Sequence, residues 1–99
     1  MHAIVHINFT FSESEEELMS HSCEAAPRFL GVDGLKWKIW LVNDDTKTAG
    51  GIYLFESREK AEAYVAGELV THLKNEREGV EVSVFDTIDE AGKVTGAPV

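Results

Sequence analysis

Three side chains that can exchange protons recur at four-residue intervals in the second half of the chain. Tyr64, Glu68 and His72 would share one face of a single helix, beside a buried row. A carboxylate next to a partly shielded imidazole favours the protonated ring, and imidazole titrates close to neutral pH, where a general base is most useful. The spacing predicts an acid/base pair of Glu68 and His72. It is also typical of a surface ion pair that flanks the core.

Aromatic side chains flank a polar turn between residues 35 and 55, in the segment LKWKIWLVNDDTKTAGGIYLF. Trp40 and Tyr53 would provide flat apolar walls with a polar edge, which suits an aromatic ligand. Tyr64 could join them from the neighbouring helix. Alternatively, the aromatic side chains form the core of an interface between two chains, and we favour that interpretation for Phe55 and Phe85.

Two polar residues, His6 and Asn8, stand among apolar neighbours on the first predicted strand. Either side chain could donate a hydrogen bond to a substrate oxygen or to an anion that develops during a reaction. The alternative is a polar group of an interface whose hydrogen bonds are satisfied within the protein. The sequence leaves both interpretations open.

Several kinds of site have no support in the sequence. No His, Asp, Glu or Cys residues show metal-ligand spacing, and Gly50-Gly51 belongs to no phosphate-binding fingerprint, so we predict neither a metal nor a cofactor. The glycine pair is predicted to mark a bulge or a sharp twist. The one cysteine, Cys23, lies on an apolar helix row and is predicted to be an inert core thiol.

The length and net charge of the chain restrict the kind of protein that it can be and the partners that it can bind. It has 99 residues, of which 18 are acidic and 9 basic, giving a formal net charge of -9. We therefore predict one domain over residues 1–99 and no binding to nucleic acid or anionic membranes. The N-terminus lacks a signal-peptide pattern and no apolar stretch reaches the ~20 residues of a membrane span, which predicts a cytoplasmic protein.

The predicted elements follow the order strand, helix, strand, strand, helix, strand. Capping patterns at Ser12 or Ser14 start the first helix, which Pro27 should bend or split, and Ser57 caps the second helix. Residues 89–99 are predicted to be a weakly ordered tail or an arm. We predict strands over 3–11, in both arms of the hairpin 35–55 and over 80–85, and helices over 12–30 and 57–75.

This order is the ferredoxin-like α+β arrangement βαββαβ, in which right-handed crossovers place both helices on one face of a four-stranded antiparallel sheet. The other face would stay open in a monomer, and aromatic side chains there call for a cover, most simply a second copy of the chain. Two such faces packed together form a dimeric α+β barrel, so we predict a homodimer. The residues predicted for the open face are His6, Asn8, Trp40, Tyr53, Phe55 and Phe85.

The segments GLKWKIW, AGGIYLF, AEAY and VSVFD resemble the YdhR-type mono-oxygenase family, whose members are dimeric α+β barrels. The resemblance runs from about Ala3 to Asp86. It implies the barrel fold, dimerisation and similarity to cofactor-free oxygenases that hydroxylate polycyclic phenols. In one departure, family members often place a histidine where this chain has Glu68, whereas the histidine here, His72, lies one turn later.

The resemblance and the residues together lead to the hypothesis of a homodimeric, cofactor-independent mono-oxygenase that acts on a small aromatic or polycyclic phenol. His72 and Glu68 would ionise the phenol, and the electron-rich anion would then reduce dioxygen directly. Trp40 and Tyr53 would hold the ring, and Asn8 would stabilise the oxygen anion.

Two alternatives stay open. Haem-degrading mono-oxygenases of the same superfamily use an Asn on the first strand with a His and a Trp on the second helix. Asn8 and His72 match that outline, although the second helix has no Trp. The other alternative is a non-catalytic dimer that binds a small apolar ligand without consuming oxygen.

Overall fold

The computed structural model describes residues 1–99 and contains four strands, four helices and one 3-10 turn. The order of the strands in the sheet is β2-β3-β1-β4, and each neighbouring pair is antiparallel. This topology is the ferredoxin-like α+β fold that the sequence predicts. The elements are β1 Ala3–Thr10, α1 Glu15–Ala25, the 3-10 turn Ala26–Phe29, β2 Leu35–Asn43, β3 Thr48–Phe55, α2 Arg58–Val65, α3 Glu68–Glu76, β4 Glu78–Asp86 and α4 Asp89–Val94.

The helix starts follow the predicted capping patterns. The side chain of Ser14 accepts a hydrogen bond from the backbone N–H of Glu17, and Ser57 caps α2 through the N–H of Lys60. Pro27 ends the first helix as predicted, because α1 stops at Ala25 and the chain continues as the 3-10 turn. No helix has the length and apolarity needed to cross a membrane.

The prediction of one long second helix is wrong, because the segment forms two helices, α2 and α3. The break falls at Gly67, which adopts an extended backbone conformation (φ -88°, ψ -178°) and is the N-cap of α3. Glycine is a weak helix former, and its extended backbone here stops the ladder of hydrogen bonds. The break separates Tyr64 on α2 from Glu68 and His72 on α3, so these three side chains do not form one helical row.

A bulge at Lys36 changes which side chains of β2 face the helices. Leu35 pairs with Phe55, but the next pair joins Trp37 to Leu54, so one extra residue lies between them. From that point Lys38 and Trp40 pair with Tyr53 and Gly51 and lie on the helix-covered face.

The prediction for the open face of the sheet is therefore wrong for Trp40, Tyr53 and Phe55. Tyr53 and Phe55 pair with Val5 and Ala3, whose side chains are buried under the helices. The prediction is right for His6, Asn8 and Phe85, since they occupy alternate positions on β1 and β4 that point to the other face.

The main core lies between the sheet and the helices. Leu18 anchors α1 in a smaller cluster with Phe11 and Ala49. The prediction that Cys23 is a core thiol is wrong, because α1 buries only Leu18 and the cysteine side chain is exposed. The main cluster consists of Ala3, Val5, Ile7, Tyr53, Phe55, Ala61, Tyr64 and Val70.

The open face of the sheet carries apolar side chains, and the C-terminal segment covers one end of it. The indole Nε1 of Trp37 donates a 3.0 Å hydrogen bond to the carbonyl of Pro98, and the neighbouring Leu54 is fully buried. Residues 89–99 are thus an arm that includes α4. Elsewhere on this face Ile39 and Phe85 are 49% and 55% exposed.

Candidate active site

A cavity of about 460 Å³ lies between the helices and the covered face of the sheet. Strands β1, β2 and β3 form its floor, while α1, the 3-10 turn, α2 and α3 form its walls. Its volume is in the range of small-molecule sites. Apolar lining residues include Ile7, Phe9, Leu18, Phe29, Trp40, Tyr53, Leu69 and Leu73, and exposed polar residues at its rim include His21, Glu24, Arg28, His72 and Glu76.

Four aromatic rings form one continuous wall of this cavity. The ring of Phe29 meets that of Trp40 edge-on, with centroids 5.2 Å apart and an interplanar angle of 85°. Phe29 also lies 6.2 Å from Tyr53, which in turn lies 5.2 Å from Tyr64. The separations are typical of favourable aromatic pairs, so the wall is fixed by its own packing. The structure thus brings together Trp40, Tyr53 and Tyr64, the three aromatic residues that the sequence predicts for substrate binding.

The hydroxyl groups of this wall stay neutral. Burial raises the pKa of Tyr53 well above its usual range, and the neighbouring Tyr64 adds to this shift. Burial also raises the pKa of Tyr64. Each phenolic hydroxyl can therefore donate or accept a hydrogen bond towards a ligand without becoming charged.

Lys38 places a primary amine among these rings. Its Nζ lies 3.9 Å from the ring centroid of Phe29, 3.3 Å from that of Trp40 and 4.6 Å from that of Tyr53. Burial lowers the pKa of the amine from 10.5 to about 7, and no hydrogen bond or neighbouring charge contributes to the shift. The electron-rich faces of the rings attract the ammonium form and oppose this effect. Near neutral pH the amine is therefore divided between its free and protonated forms.

Gly51 makes room for the Lys38 side chain. A Cβ atom at position 51 would lie 2.7 Å from Cε of Lys38, well inside van der Waals contact, and 3.1 Å from the carbonyl oxygen of Ile39. The other glycine of the pair, Gly50, lies very close to the neighbouring strand β1. A Cβ atom at position 50 would lie 1.8 Å from the carbonyl oxygen of Ile7, so only glycine fits there. The pairing of β3 with β1 and β2 runs unbroken through both glycines, so the predicted bulge is absent, and the pair instead allows close approach of Ile7 and of the Lys38 side chain.

An ion pair closes one end of the cavity. Two nitrogens of Arg77 donate hydrogen bonds of 2.6 and 2.8 Å to the two carboxylate oxygens of Glu13, and the guanidinium lies 5.1 Å from the ring of Phe9. These hydrogen bonds lower the pKa of Glu13 from 4.5 to about 2 and raise that of Arg77. His21 adds a 3.2 Å contact from Nδ1 to Glu13. The pair ties the segment before α1 to the start of β4.

The predicted acid/base pair of Glu68 and His72 is not formed. His72 lines the rim of the cavity, but its Nε2 contacts the carboxylate of Glu76 at 3.1 Å, and its side chain is 61% exposed. Glu68 is the first residue of α3, is exposed and does not line the cavity. Of the predicted pair only His72 can approach a ligand in the cavity.

The predicted polar groups on β1 lie outside the cavity. His6 and Asn8 alternate with Val5 and Ile7, which face the helices, so both point to the open face of the sheet. Asn8 and His72 are therefore on opposite sides of the sheet. The haem-degrading alternative depends on their meeting at one site, and the structure removes that basis.

The sequence prediction of the site missed several residues that line the cavity, namely Phe29, Lys38 and the ion pair of Glu13 and Arg77. Of these, Lys38 has the clearest cause. The alternation of β2 assigns it to the open face together with Trp40, and only the bulge at Lys36 turns it towards the helices. One signal was available, since Gly51, which pairs with Trp40, is a diagonal neighbour of Lys38 across the hairpin and leaves space beside it. A glycine inside a strand often marks a site where a ligand or another part of the chain approaches the backbone closely.

Solved structures confirm the fold. NE2512, a protein of unknown function from Nitrosomonas europaea, superposes with a TM-score of 0.70 over 88% of this chain and 89% of its own, at 13% identity. Rv0793 from Mycobacterium tuberculosis superposes with a TM-score of 0.66 over 92% of this chain and 99% of its own, at 16% identity. A mutant form of SnoaB, a cofactor-independent oxygenase from Streptomyces nogalater, superposes with a TM-score of 0.65 over 88% of this chain and 93% of its own, at 16% identity. At these identities the similarity establishes the fold alone.

The family comparison is more specific. No functionally curated protein matches the sequence. The family described as "Putative mono-oxygenase ydhR" matches residues 4–98. The match includes all the elements that line the cavity, from β1 to α3. Because it covers almost the whole sequence, the chain belongs to the ydhR family.

Proposed function

We propose that this protein is a cofactor-independent mono-oxygenase that oxidises a small aromatic or polycyclic phenol in the cavity beneath its helices. The observation that carries the proposal is the cavity itself, which has the volume of a small-molecule site and one wall of packed aromatic rings. Membership of a mono-oxygenase family supports it. So does the shared fold with an oxygenase that is itself described as cofactor-independent.

The chemistry requires the protein to remove one proton. A neutral phenol reacts poorly with dioxygen, whereas its electron-rich anion can pass electrons to dioxygen directly. In the overall reaction the phenol loses one hydrogen from its hydroxyl group and one from a ring carbon, that carbon gains one oxygen atom to give a quinone, and the second oxygen atom leaves as water with those two hydrogens. The substrate supplies all the electrons, so the balance needs no separate reductant.

We assign the residues of the cavity to this scheme by their positions. Trp40 and Tyr53 hold the substrate ring, with Tyr64 beside them, because their rings form the apolar wall. His72 lies at the rim, where an imidazole can exchange protons between the cavity and solvent. It does so with Glu76 as its carboxylate partner in place of Glu68.

We also propose that the protein is a homodimer whose interface is the open face of the sheet. Ile39 and Phe85 expose large apolar side chains there. His6 and Asn8 share this face, so in this proposal they are interface groups and not catalytic ones. A second copy of the chain would bury these side chains and close a barrel between the two sheets.

The test is oxygen consumption by the purified, metal-free protein against a panel of phenols, dihydroxynaphthalenes and anthrones, with product masses. We expect uptake with at least one member and a product that contains one more oxygen atom. Trp40→Ala should abolish this uptake, whereas Trp37→Ala, the same substitution on the other face of the sheet, should retain it. Thermal stabilisation by panel members without any uptake would instead identify a non-catalytic ligand-binding protein.

A further inference from the structure

The amine of Lys38 is the one cationic side chain that projects among the rings of the cavity wall. Its Nζ approaches three ring centroids within 4.6 Å, and it has neither a carboxylate partner nor a hydrogen-bond acceptor. The space that it occupies depends on the absence of a side chain at Gly51. A sheet that simply needed an apolar floor could carry leucine or methionine at this position.

Such an amine has two favourable states. Burial by itself favours the free amine, whose lone pair can accept a proton. When an anion is close by, the ammonium form is favoured by the ion pair and by the faces of Phe29, Trp40 and Tyr53. The same surroundings therefore suit both the acceptance of a proton and the retention of the resulting charge.

We propose that Lys38 is the base of this cavity and that its Nζ takes the proton of an aromatic hydroxyl group and then holds the phenolate as an ion pair. The O–H bond of the substrate breaks, its electron pair stays on oxygen, and the proton forms a new N–H bond on Nζ. The net charge of the cavity does not change, so the step introduces no isolated buried charge. This inference rests on the proposed function and names the group that its substrate must carry.

The other ionisable groups of the cavity are less suited to this role. Glu13 is held as a carboxylate by two hydrogen bonds from Arg77, which make it a weak proton acceptor. The hydroxyls of Tyr53 and Tyr64 remain protonated because of burial.

The ionisable groups at the rim are exposed to solvent, so water can exchange protons with a substrate in the same place. His72 is largely exposed and already contacts Glu76, so it offers a substrate little that solvent does not. His21, Glu24 and Arg28 line the rim from α1 and the 3-10 turn and are exposed as well. Lys38 alone combines a free lone pair with a position against the aromatic wall.

The proposal can be tested with phenolic dyes that change colour on ionisation and do not consume oxygen. Spectra of 4-nitrophenol and of 1,2-dihydroxyanthraquinone would be recorded over a pH series, alone and with excess protein. We expect the bound dye to ionise at least tenfold more readily than the free dye. Lys38→Met should remove this effect, while Lys36→Met, which deletes the same charge from the exposed bulge of β2, should retain it.

A second substitution separates the base from the charge. Lys38→Arg keeps a cation but cannot accept a proton at these pH values, so it should still bind preformed phenolate while losing oxygen uptake with a substrate. Circular dichroism and thermal melting would establish that each variant is folded. Equal ionisation of the dye in the unmodified protein and in Lys38→Met would overturn the proposal. It would also be overturned if the unmodified protein bound the dye in its neutral form or caused no change in its spectrum.

The outcomes also separate this inference from the proposed function. Dye ionisation that depends on Lys38, with no oxygen uptake from any phenol, would support the binding site and refute the oxygenase. Oxygen uptake that persists in Lys38→Met would support the oxygenase and overturn the assignment of Lys38 as its base.

Discussion

Replacing Lys38 with methionine should stabilise the protein at neutral and mildly acidic pH. Methionine has a similar length and flexibility but no charge, so it can fill the space above Gly51 without the cost of desolvating an ammonium group. The gain should shrink as the pH rises, because the native protein can then lose the proton and avoid the same cost.

The size of the effect follows from the two pKa values of the lysine. Folding lowers the pKa of Lys38 from 10.5 to about 7, which corresponds to a destabilisation of at most ~5 kcal/mol when the amine is charged in both states. This cost is complete below pH 7 and falls as the pH rises towards 10.5, since the unfolded chain binds more protons than the folded one in that range. Between pH 6 and pH 9.5 it should fall by ~3 kcal/mol, less an offset of about 1–2 kcal/mol from the three rings.

The assay is urea unfolding of the native protein, Lys38→Met and the matched control Lys36→Met at several pH values up to 9.5. That limit avoids ionisation of tyrosine in the unfolded chain, which would destabilise a fold whose buried Tyr53 and Tyr64 remain neutral. We expect the free energy of unfolding of Lys38→Met to exceed that of the native protein most at pH 6 and least at pH 9.5. The free energy of unfolding of Lys36→Met should change with pH as that of the native protein does.

A constant difference across the pH range would refute the reasoning, because it would show that the amine has the same pKa in both states. Lower stability of Lys38→Met at every pH would refute it too. The ammonium would then contribute more through its contacts with the rings than its burial costs.

Three further perturbations test other parts of the structure. Gly51→Ala should push the side chain of Lys38 away from the rings. Acetylation of the Lys38 amine, measured by peptide mass spectrometry, should then become at least threefold faster. An unchanged acetylation rate would show that Lys38 does not need the glycine. Phe85→Asp should convert a dimer into a folded monomer in analytical ultracentrifugation, and a dimer that persists would place the interface elsewhere. Glu13→Gln should lower the free energy of unfolding at pH 7 by roughly 1–2 kcal/mol through loss of its bond to Arg77. That difference should shrink as the pH falls from 4.5 to about 2, where half of native Glu13 carries a proton, and a difference that stays undiminished at pH 2 would contradict the account.

The fold could be predicted because its signals are local. Alternating apolar residues mark β1 and β4, serines at positions 14 and 57 cap the helices, and Pro27 ends α1 where a proline must. Each of these depends on neighbours within a few residues. The number and order of strands then restrict the topology to a small set, of which the ferredoxin-like fold is one.

The site could be predicted only in part, because its residues depend on register. One additional residue at Lys36 reverses the faces of the rest of β2, which moves Trp40 into the cavity together with Lys38. A break at Gly67 separates Tyr64 from His72. Periodicity alone detects neither event, because a bulge changes the strand pairing without changing the spacing of residues, and an isolated glycine inside a helical pattern is often tolerated. The aromatic residues were identified as a group, but the amine between them was not.

The most direct test of the central claim is a reaction of the metal-free protein with a phenol or anthrone under isotopically labelled dioxygen. We predict that the product gains a single labelled oxygen atom, that labelled water accounts for the other, and that no added cofactor increases the yield. A product that carries oxygen only from unlabelled water, or no product under any condition while the ligand still binds, would contradict the assignment of this cavity as an oxygenase site.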